Sequence, residues 1–515
     1  MKPRGGTVSS ISDLLTKLEN ATPDNAPFLV RELLQDQNLL QLRQLDALRA
    51  ARAIATFAGP QQLAIAGELA GRAHQDSVAG AGALFAECAD KVSLMSGRPQ
   101  RFGTVVLEHQ GDMVMAPLDG MADDAMRQSF GLPSLKQMRQ NVEQQNRQAA
   151  RERYEAGGLP PGQRFCRIWS DPSVEELRSG LQENPNGAWA SGDDLTLVCI
   201  SDALGIIPGP VFELPMWNLL DEANEPTDFW CIQLRVDRLD EAVFGYGFWP
   251  LNENGMPLAG RGPVDNRFRG KSSPAELASH DDDALKGSLA THEFRSTALR
   301  ENRRVKVYLP PNHLPESPLP VLYSTDGNMI EPYIRRVDAA IHNGVIPPIA
   351  LVAPHAAPMD QTGNQRALEY LPGFDDARFD RHQRFFVDEL PSWAEQEFGV
   401  SKQREFRAIF GCSDGAGHAL ATGFMHKDRY AHCIAFSTGM PPDEQTLWES
   451  DGAPFVHLCA GTLEQGFFQA TEAWAAWLHF HSSPYHFTER VCGHDLIQWI
   501  EELPKSIARA WGESL

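Results

Sequence analysis

Hydrophobic positions along this chain fall into three successive patterns. From about residue 10 to residue 155 they recur at intervals of three and four among Leu, Ala, Gln, Arg and Glu, the spacing of one helical face. Helices are expected over residues 12–18, 28–55, 61–89 and 137–154, with Pro60 and Gly67 as punctuation. The period lapses at 98–117, where Gln100-Arg101-Phe102-Gly103-Thr104 leads into a Val-Val-Leu run that predicts a strand. Gly157-Gly158-Leu159-Pro160-Pro161-Gly162 reads as a linker. From Phe165 to about Gly270 the apolar runs become short and β-rich, at 195–200, 211–214, 229–236 and 242–248, separated by Pro, Gly, Asn and Asp. That pattern predicts a small β-sandwich.

The polar stretch 270–290 reads as a connector. From Phe294 near-continuous apolar runs alternate with amphipathic ones. Strands are expected at 305–309, 321–323, 349–353, 406–410, 433–436, 455–459 and 485–488. Helices are expected at 334–342, 379–398, 417–425, 467–481 and 496–511. This alternation predicts a mostly parallel sheet with helices on both faces. The expected organisation is therefore a mostly helical domain at 1–157, a β-sandwich at 163–270 and an α/β domain at 290–515.

Composition changes this picture little. The chain is 42% hydrophobic and 22% charged, as in an ordinary globular protein. A formal net charge of −22 excludes nucleic acid and anionic membrane surfaces as expected partners, since both repel an acidic surface. No stretch approaches the roughly 18 apolar residues of a bilayer span, and no apolar run follows the basic residues of the first fifteen positions. Eight cysteines are scattered without a C-x-x-C pair, several of them inside apolar runs. They are expected to be reduced core thiols in a cytoplasmic protein with no metal site and no cofactor.

The candidate chemistry lies in the last third. Gly411-Cys412-Ser413-Asp414-Gly415 is a G-x-S-x-G pattern placed between an expected strand and a small-residue helix. A strand-to-helix turn that sharp needs glycine on both sides and lifts the serine hydroxyl above the sheet edge at a helix N-terminus. The context makes Ser413 the expected nucleophile of an α/β-hydrolase fold. A serine hydroxyl needs a base within reach, and in this fold the chain order is Ser, acid, His. His494, in Val491-Cys492-Gly493-His494-Asp495, occupies a Gly-His loop between the last expected strand and helix. The rival histidines precede the elbow (313, 342, 355 and 382) or lie on helices or inside strands, as His418 and His457 do.

Glu464 is the first carboxylate past the strand at 455–459 and is the expected acid, with Asp495 as the alternative. The oxyanion hole needs two backbone N–H groups. One is expected from Asp414, the residue after the nucleophile, and one from Gly327 or Asn328 in the turn after the strand at 321–323. A carboxylate at 414 would oppose an oxyanion unless its side chain points away.

With these residues assigned, 294–515 resembles the esterase family of α/β-hydrolases that includes the enterobactin (enterochelin) esterases and related siderophore hydrolases. The resemblance rests on Phe294-Arg295-Ser296, Arg304 through Pro311, Pro320-Val321-Leu322-Tyr323 with Asp326-Gly327, and Ile346-Pro347-Pro348. It continues through Arg366-x-x-Glu369-Tyr370-x-Pro372, the elbow and Gly493-His494-Asp495. It implies a serine ester hydrolase acting through an acyl-enzyme on a small-molecule ester, with siderophore-like esters as the implied substrate class. In the family the Arg-x-x-Asp/Glu-Tyr segment lies by the active site. That implies substrate contact for Arg366 with Glu369 beside it, a structural ion pair being the alternative.

The middle region, with Trp169, Trp230, Tyr246-Gly247-Phe248 and Gly262-Pro263, resembles the β-sandwich that precedes the hydrolase in those enzymes. Residues 60–140 resemble an uncharacterised helical family carrying Gln-x-Phe/Tyr-Gly-Thr, which implies no function. The elbow departs from the family in having Ala416 where a second glycine is usual. Two other readings keep the scaffold and change the activity: a catalytically silent binding module, and acyl transfer or peptide hydrolysis by the same residues.

Overall fold

The computed structural model describes residues 11–512 except 23–24, 57–58, 110, 213, 222, 224, 253–256, 259–261, 276–283, 315, 361–362 and 443–451. Two compact units divide the chain. One takes the described residues of 1–172 with 233–235, and the other the rest of the described residues.

In the first unit the helical periodicity folds into Ile11–Glu19, Ala26–Leu34, Gln44–Ala55, Pro60–Gln75 and Ala81–Met95, followed by Leu135–Ala156. The apolar faces of the first five meet in a core that includes Leu33, Leu48, Ile54, Leu69 and Ala73. The expected long runs 28–55 and 61–89 are each broken once. Asp76 follows the end of Pro60–Gln75, where its backbone N–H caps the helix, and its carboxylate holds the start of Gln44–Ala55, accepting from Arg43 Nε and Nη2 and from the Gln44 N–H at 2.7–3.0 Å. The Val-Val-Leu run enters a hairpin, Val106–His109 with Asp112–Met115. The Gln100–Thr104 segment wraps the buried carboxylate of Asp90, which accepts the N–H groups of Arg101, Phe102 and Thr104 and the Thr104 hydroxyl. The motif's local role is therefore to satisfy one buried charge.

Between residues 188 and 269 the described strands fall into two sheets. Ala188–Ser191, Asp194–Ile200, Pro226–Val236 and Trp217–Leu220 belong to one sheet; Ile206–Gly209, Val243–Pro250 and Asn266–Arg269 form the other. The run at 211–214 was expected as a strand; its described residues, Val211, Phe212 and Leu214, lie between two strands and in neither, and residue 213 lies outside the described residues. Pro210 and Pro215 flank it and supply no N–H to a ladder, although Val211, Phe212 and Leu214 are buried.

Among the described residues, eight strands form the main sheet: β1 (Ser288–Ser296), β2 (Glu301–Leu309), β3 (Val321–Ser324), β4 (Ala350–Pro354), β5 (Arg407–Cys412), β6 (His432–Phe436), β7 (Phe455–Gly461) and β8 (Tyr485–Arg490). Their order is β1-β2-β4-β3-β5-β6-β7-β8. The first two pairings are antiparallel and every later one is parallel, so β3 through β8 end on the same edge. The helices are α1 (Glu331–His342), α2 (Gln365–Tyr370), α3 (Asp376–Arg384, continuing through a wider turn to Phe398), α4 (Asp414–Met425), α5 (Gln465–Phe480) and α6 (Leu496–Trp511).

Phe386 and Leu390 of the α3 run, Leu420 of α4 and Trp474 and Leu478 of α5 pack with Val307, Val352 and Ile409 on one face. On the other, Ile334 and Val337 of α1 and Leu503, Ile507 and Trp511 of α6 pack with Leu322, Leu351 and Phe410. This is an α/β-hydrolase-like architecture. β1 occupies the end of what reads as a connector at 270–290, part of which lies outside the described residues. Among the described residues no helix is long and apolar enough to cross a membrane.

Candidate active site

β5 ends at Cys412 and α4 begins at Asp414, so Ser413 is the whole connection. Its backbone adopts φ 58°, ψ −125°, a conformation unfavourable for a residue with a side chain, and the hydroxyl caps none of the helix N–H groups. Both flanking glycines are required by space. A Cβ at 411 would lie 2.0 Å from the Gly415 carbonyl oxygen, and one at 415 would lie 2.4 Å from Thr325 Oγ1. The sharp turn expected from G-x-S-x-G is present.

Backbone hydrogen bonds extend the sheet stepwise beyond its parallel edge. The Ser413 N–H donates to Phe436 O at 3.0 Å, the Ser437 N–H to Cys459 O at 2.7 Å, and the Thr462 N–H to Arg490 O at 2.8 Å. Ser413, Ser437, Glu464 and His494 therefore all follow the carboxyl ends of neighbouring strands. His494 Nδ1 lies 2.5 Å from Glu464 Oε2. A carboxylate in that position pairs with an Nδ1–H, and the neutral imidazole that donates there keeps its lone pair on Nε2. The other oxygen of Glu464 accepts from the Ser437 hydroxyl at 2.6 Å, the Gly461 N–H at 2.6 Å and Gln498 Nε2 at 2.9 Å. The imidazole stacks on Phe467, with centroids 3.8 Å apart, and meets the edge of Trp499 at 4.8 Å.

The loop carrying His494 is braced by Val243 and Val211 of the same unit. The Val243 N–H donates to Val491 O at 2.9 Å, and Val211 packs where a Cβ at 493 would fall, 2.5 Å from its Cγ2. Asp495 serves this loop and does not meet the imidazole. Its Oδ1 accepts the Ile497 and Gln498 N–H groups at the start of α6, and its Oδ2 accepts the Gly245 N–H at 3.1 Å. Burial pushes its pKa up to about 6 against the pull of those donors.

Three expectations need correction. Gly327 cannot supply an oxyanion donor, because its N–H donates to Pro354 O at 2.8 Å; a Cβ at 327 would sit 2.1 Å from Ala353 O, which is why the chain needs glycine there. The Met329 N–H closes the same turn on Asp326 O at 2.8 Å, so the Asn328 N–H between them is the remaining candidate. Arg366, expected to touch substrate, has its donors on protein acceptors. Nε and Nη2 bind Asp326 at 2.6 and 2.9 Å, Nη1 binds Asp414 at 2.5 Å, Nη2 also reaches Cys412 O at 3.3 Å, and the plane lies over the Tyr370 ring.

Glu369, expected beside the substrate, is buried and paired with Arg303 through both oxygens at 3.0 Å and with Arg378 at 3.1 Å. The rival His418 is fully buried against His382, their ring nitrogens 3.1 Å apart. Burial pushes the pKa of His382 down to about 3 and that of His418 well below the ordinary range.

Ser437, Gln498, Phe467 and Trp499 were not singled out from sequence. Ser437 had a usable signal, since it follows the end of β6 as Ser413 follows β5.

Residues 296–510 match the protein family described as "Putative esterase". Over these residues the chain is similar to that family, and the match supports ester hydrolysis as the chemistry of the segment. The enterobactin esterase from Shigella flexneri, solved in the presence of enterobactin, is similar in structure over 67% of this chain and 100% of its own, with 16% sequence identity and a TM-score of 0.50. The ferric enterobactin esterase from Salmonella typhimurium is similar over 65% of this chain and 99% of its own, with 15% identity and a TM-score of 0.52. At such identities the likeness establishes the fold of the esterase domain.

Proposed function

We propose that this protein is a serine carboxylic-ester hydrolase that works through an acyl-enzyme, with Ser413 as nucleophile, His494 as general base and Glu464 as the acid that orients it. The observation that carries the reading is the 2.5 Å pairing of Glu464 with His494 Nδ1 at the sheet edge where the Ser413 elbow stands. Nε2 takes the Ser413 proton as Oγ attacks the ester carbonyl carbon, and Glu464 stabilises the resulting imidazolium. The backbone N–H groups of Asp414 and Asn328 receive the negative charge developing on the carbonyl oxygen. The alcohol leaves with the proton held by His494, and water activated by the same imidazole cleaves the acyl-enzyme.

The substrate is a small-molecule ester, and siderophore-like esters are the first natural class to assay. Residues 1–157 are assigned to a helical domain, 163–270 to a sandwich and 290–515 to the catalytic domain. The eight cysteines are all free thiols, in keeping with a reducing, cytoplasmic setting.

The test is hydrolysis of p-nitrophenyl acetate by the wild type and by Ser413→Ala. A loss of about 10⁶ in kcat is expected. Turnover by the folded variant within about tenfold of wild type would reject the assignment.

A further inference from the structure

A carboxylate directly after the nucleophile is an electrostatic problem for this reaction, because the Asp414 N–H must face the oxyanion while its side chain carries the same charge. The structure answers with one guanidinium. Arg366 holds Asp414 Oδ2 at 2.5 Å and, on its other side, both oxygens of Asp326 at 2.6 and 2.9 Å. Asp326 opens the turn that contains Asn328, and its own N–H donates to the Tyr370 hydroxyl at 3.2 Å. Tyr370 in turn lies under the guanidinium. The two segments are also in contact directly, since a Cβ at Gly415 would fall 3.0 Å from Asp326 Oδ2.

From this bridge we infer that Arg366 is a positioning residue for the oxyanion hole: it clamps the elbow to the Asp326–Met329 turn, so that the Asp414 and Asn328 N–H groups converge, and it draws the Asp414 carboxylate off the oxyanion. The inference rests on the serine-esterase reading above. It assigns Arg366 to the machinery rather than to the substrate. A planar fork can hold one carboxylate through two nitrogens and a second through its third, a geometry that the compact ammonium of lysine does not reproduce.

The decisive experiment is a double-mutant cycle between Arg366→Ala and Asp414→Asn, read on p-nitrophenyl acetate, with the same variants assayed on the anionic mono-p-nitrophenyl succinate. In the native background Arg366→Ala is expected to lower kcat for the neutral ester by about 10²–10³, the scale of one lost oxyanion donor, with KM changed less than about threefold. Asp414→Asn in the Arg366→Ala background is expected to recover at least about tenfold, because the unpaired carboxylate is gone.

Arg366→Lys is expected to recover less than half of the loss, and it replaces Arg366→Ala in the cycle if the alanine variant fails to fold. Unchanged kcat for the neutral ester with a raised KM for the anionic one would make Arg366 a substrate contact and overturn the inference. So would equal losses with and without the Asp414→Asn substitution. Ser413→Ala run alongside separates the two levels. Turnover surviving in that variant removes the serine reading, whereas turnover lost there but intact in the Arg366 variants removes this inference alone.

Discussion

The Ser437 hydroxyl donates to Glu464 Oε1 at 2.6 Å and itself accepts from Trp499 Nε1 at 2.8 Å, so the acid of the site is fixed from behind while its other oxygen faces His494. With Gly461 and Gln498 also donating to Oε1, the carboxylate has one rotamer in which all its partners are met. In the proposed mechanism a buried carboxylate held this way would orient the imidazole.

This arrangement separates the two acids that the sequence left open. Glu464→Gln is expected to lower kcat by roughly 10⁴, since an amide cannot hold the imidazole in the productive tautomer and stabilise its cation. Asp495→Ala is expected to keep kcat within about tenfold while costing about 2 kcal/mol of stability, because the cap of α6 and the Gly245 partner are lost. Steady-state kinetics paired with urea unfolding of the two variants checks both halves.

The pairing of Glu369 with Arg303 and Arg378 leads to a second expectation. Glu369→Ala leaves one fully buried and one half-buried guanidinium without their shared carboxylate, and a loss of about 3–5 kcal/mol in stability is expected. KM for p-nitrophenyl acetate should stay within about threefold in whatever folded fraction remains. A raised KM with unaltered unfolding would return Glu369 to the substrate.

Much of the α/β fold is legible in the sequence because β4 through β7 are buried on both faces and read as near-continuous apolar runs. β1 is not, because an edge strand carrying Ser288, Thr291, His292 and Glu293 resembles the polar connector before it. The helix Val174–Glu183 also escaped, although Ser173 and Glu176 spell a capping box that the structure forms. Ser413, Glu464 and His494 were read from the ends of expected strands, and the structure places each after a strand end, with Glu464 against His494. Which donors the turn after β3 leaves free was legible only in part. Whether the Gly327 N–H is available depends on the Pro354 carbonyl one strand over, which no local pattern encodes. Likewise, Arg366 and Glu369 appear in one short motif, yet the acceptors that occupy Arg366 lie 40 and 48 residues away.

The buried pair His382 and His418 makes stability depend on pH. Both have folded-state pKa values depressed by burial, so each stays neutral in the native protein while the unfolded chain takes up protons below about pH 6.5. Their contribution is present above that pH and is lost as pH falls, by about 2 kcal/mol for each such histidine at pH 5. Urea unfolding at pH 7 and pH 5 checks this. His382→Phe should flatten the difference by about 2 kcal/mol, and an unchanged difference would contradict it.

The central claim is that Ser413 is an activated nucleophile. It is tested most directly by treating the folded protein with a fluorophosphonate probe and locating the adduct by peptide mass mapping. The account predicts one adduct on Ser413, absent in Ser413→Ala and slowed at least about 10³-fold in His494→Ala. An adduct on another residue, or labelling of Ser413 at an undiminished rate without His494, would contradict it.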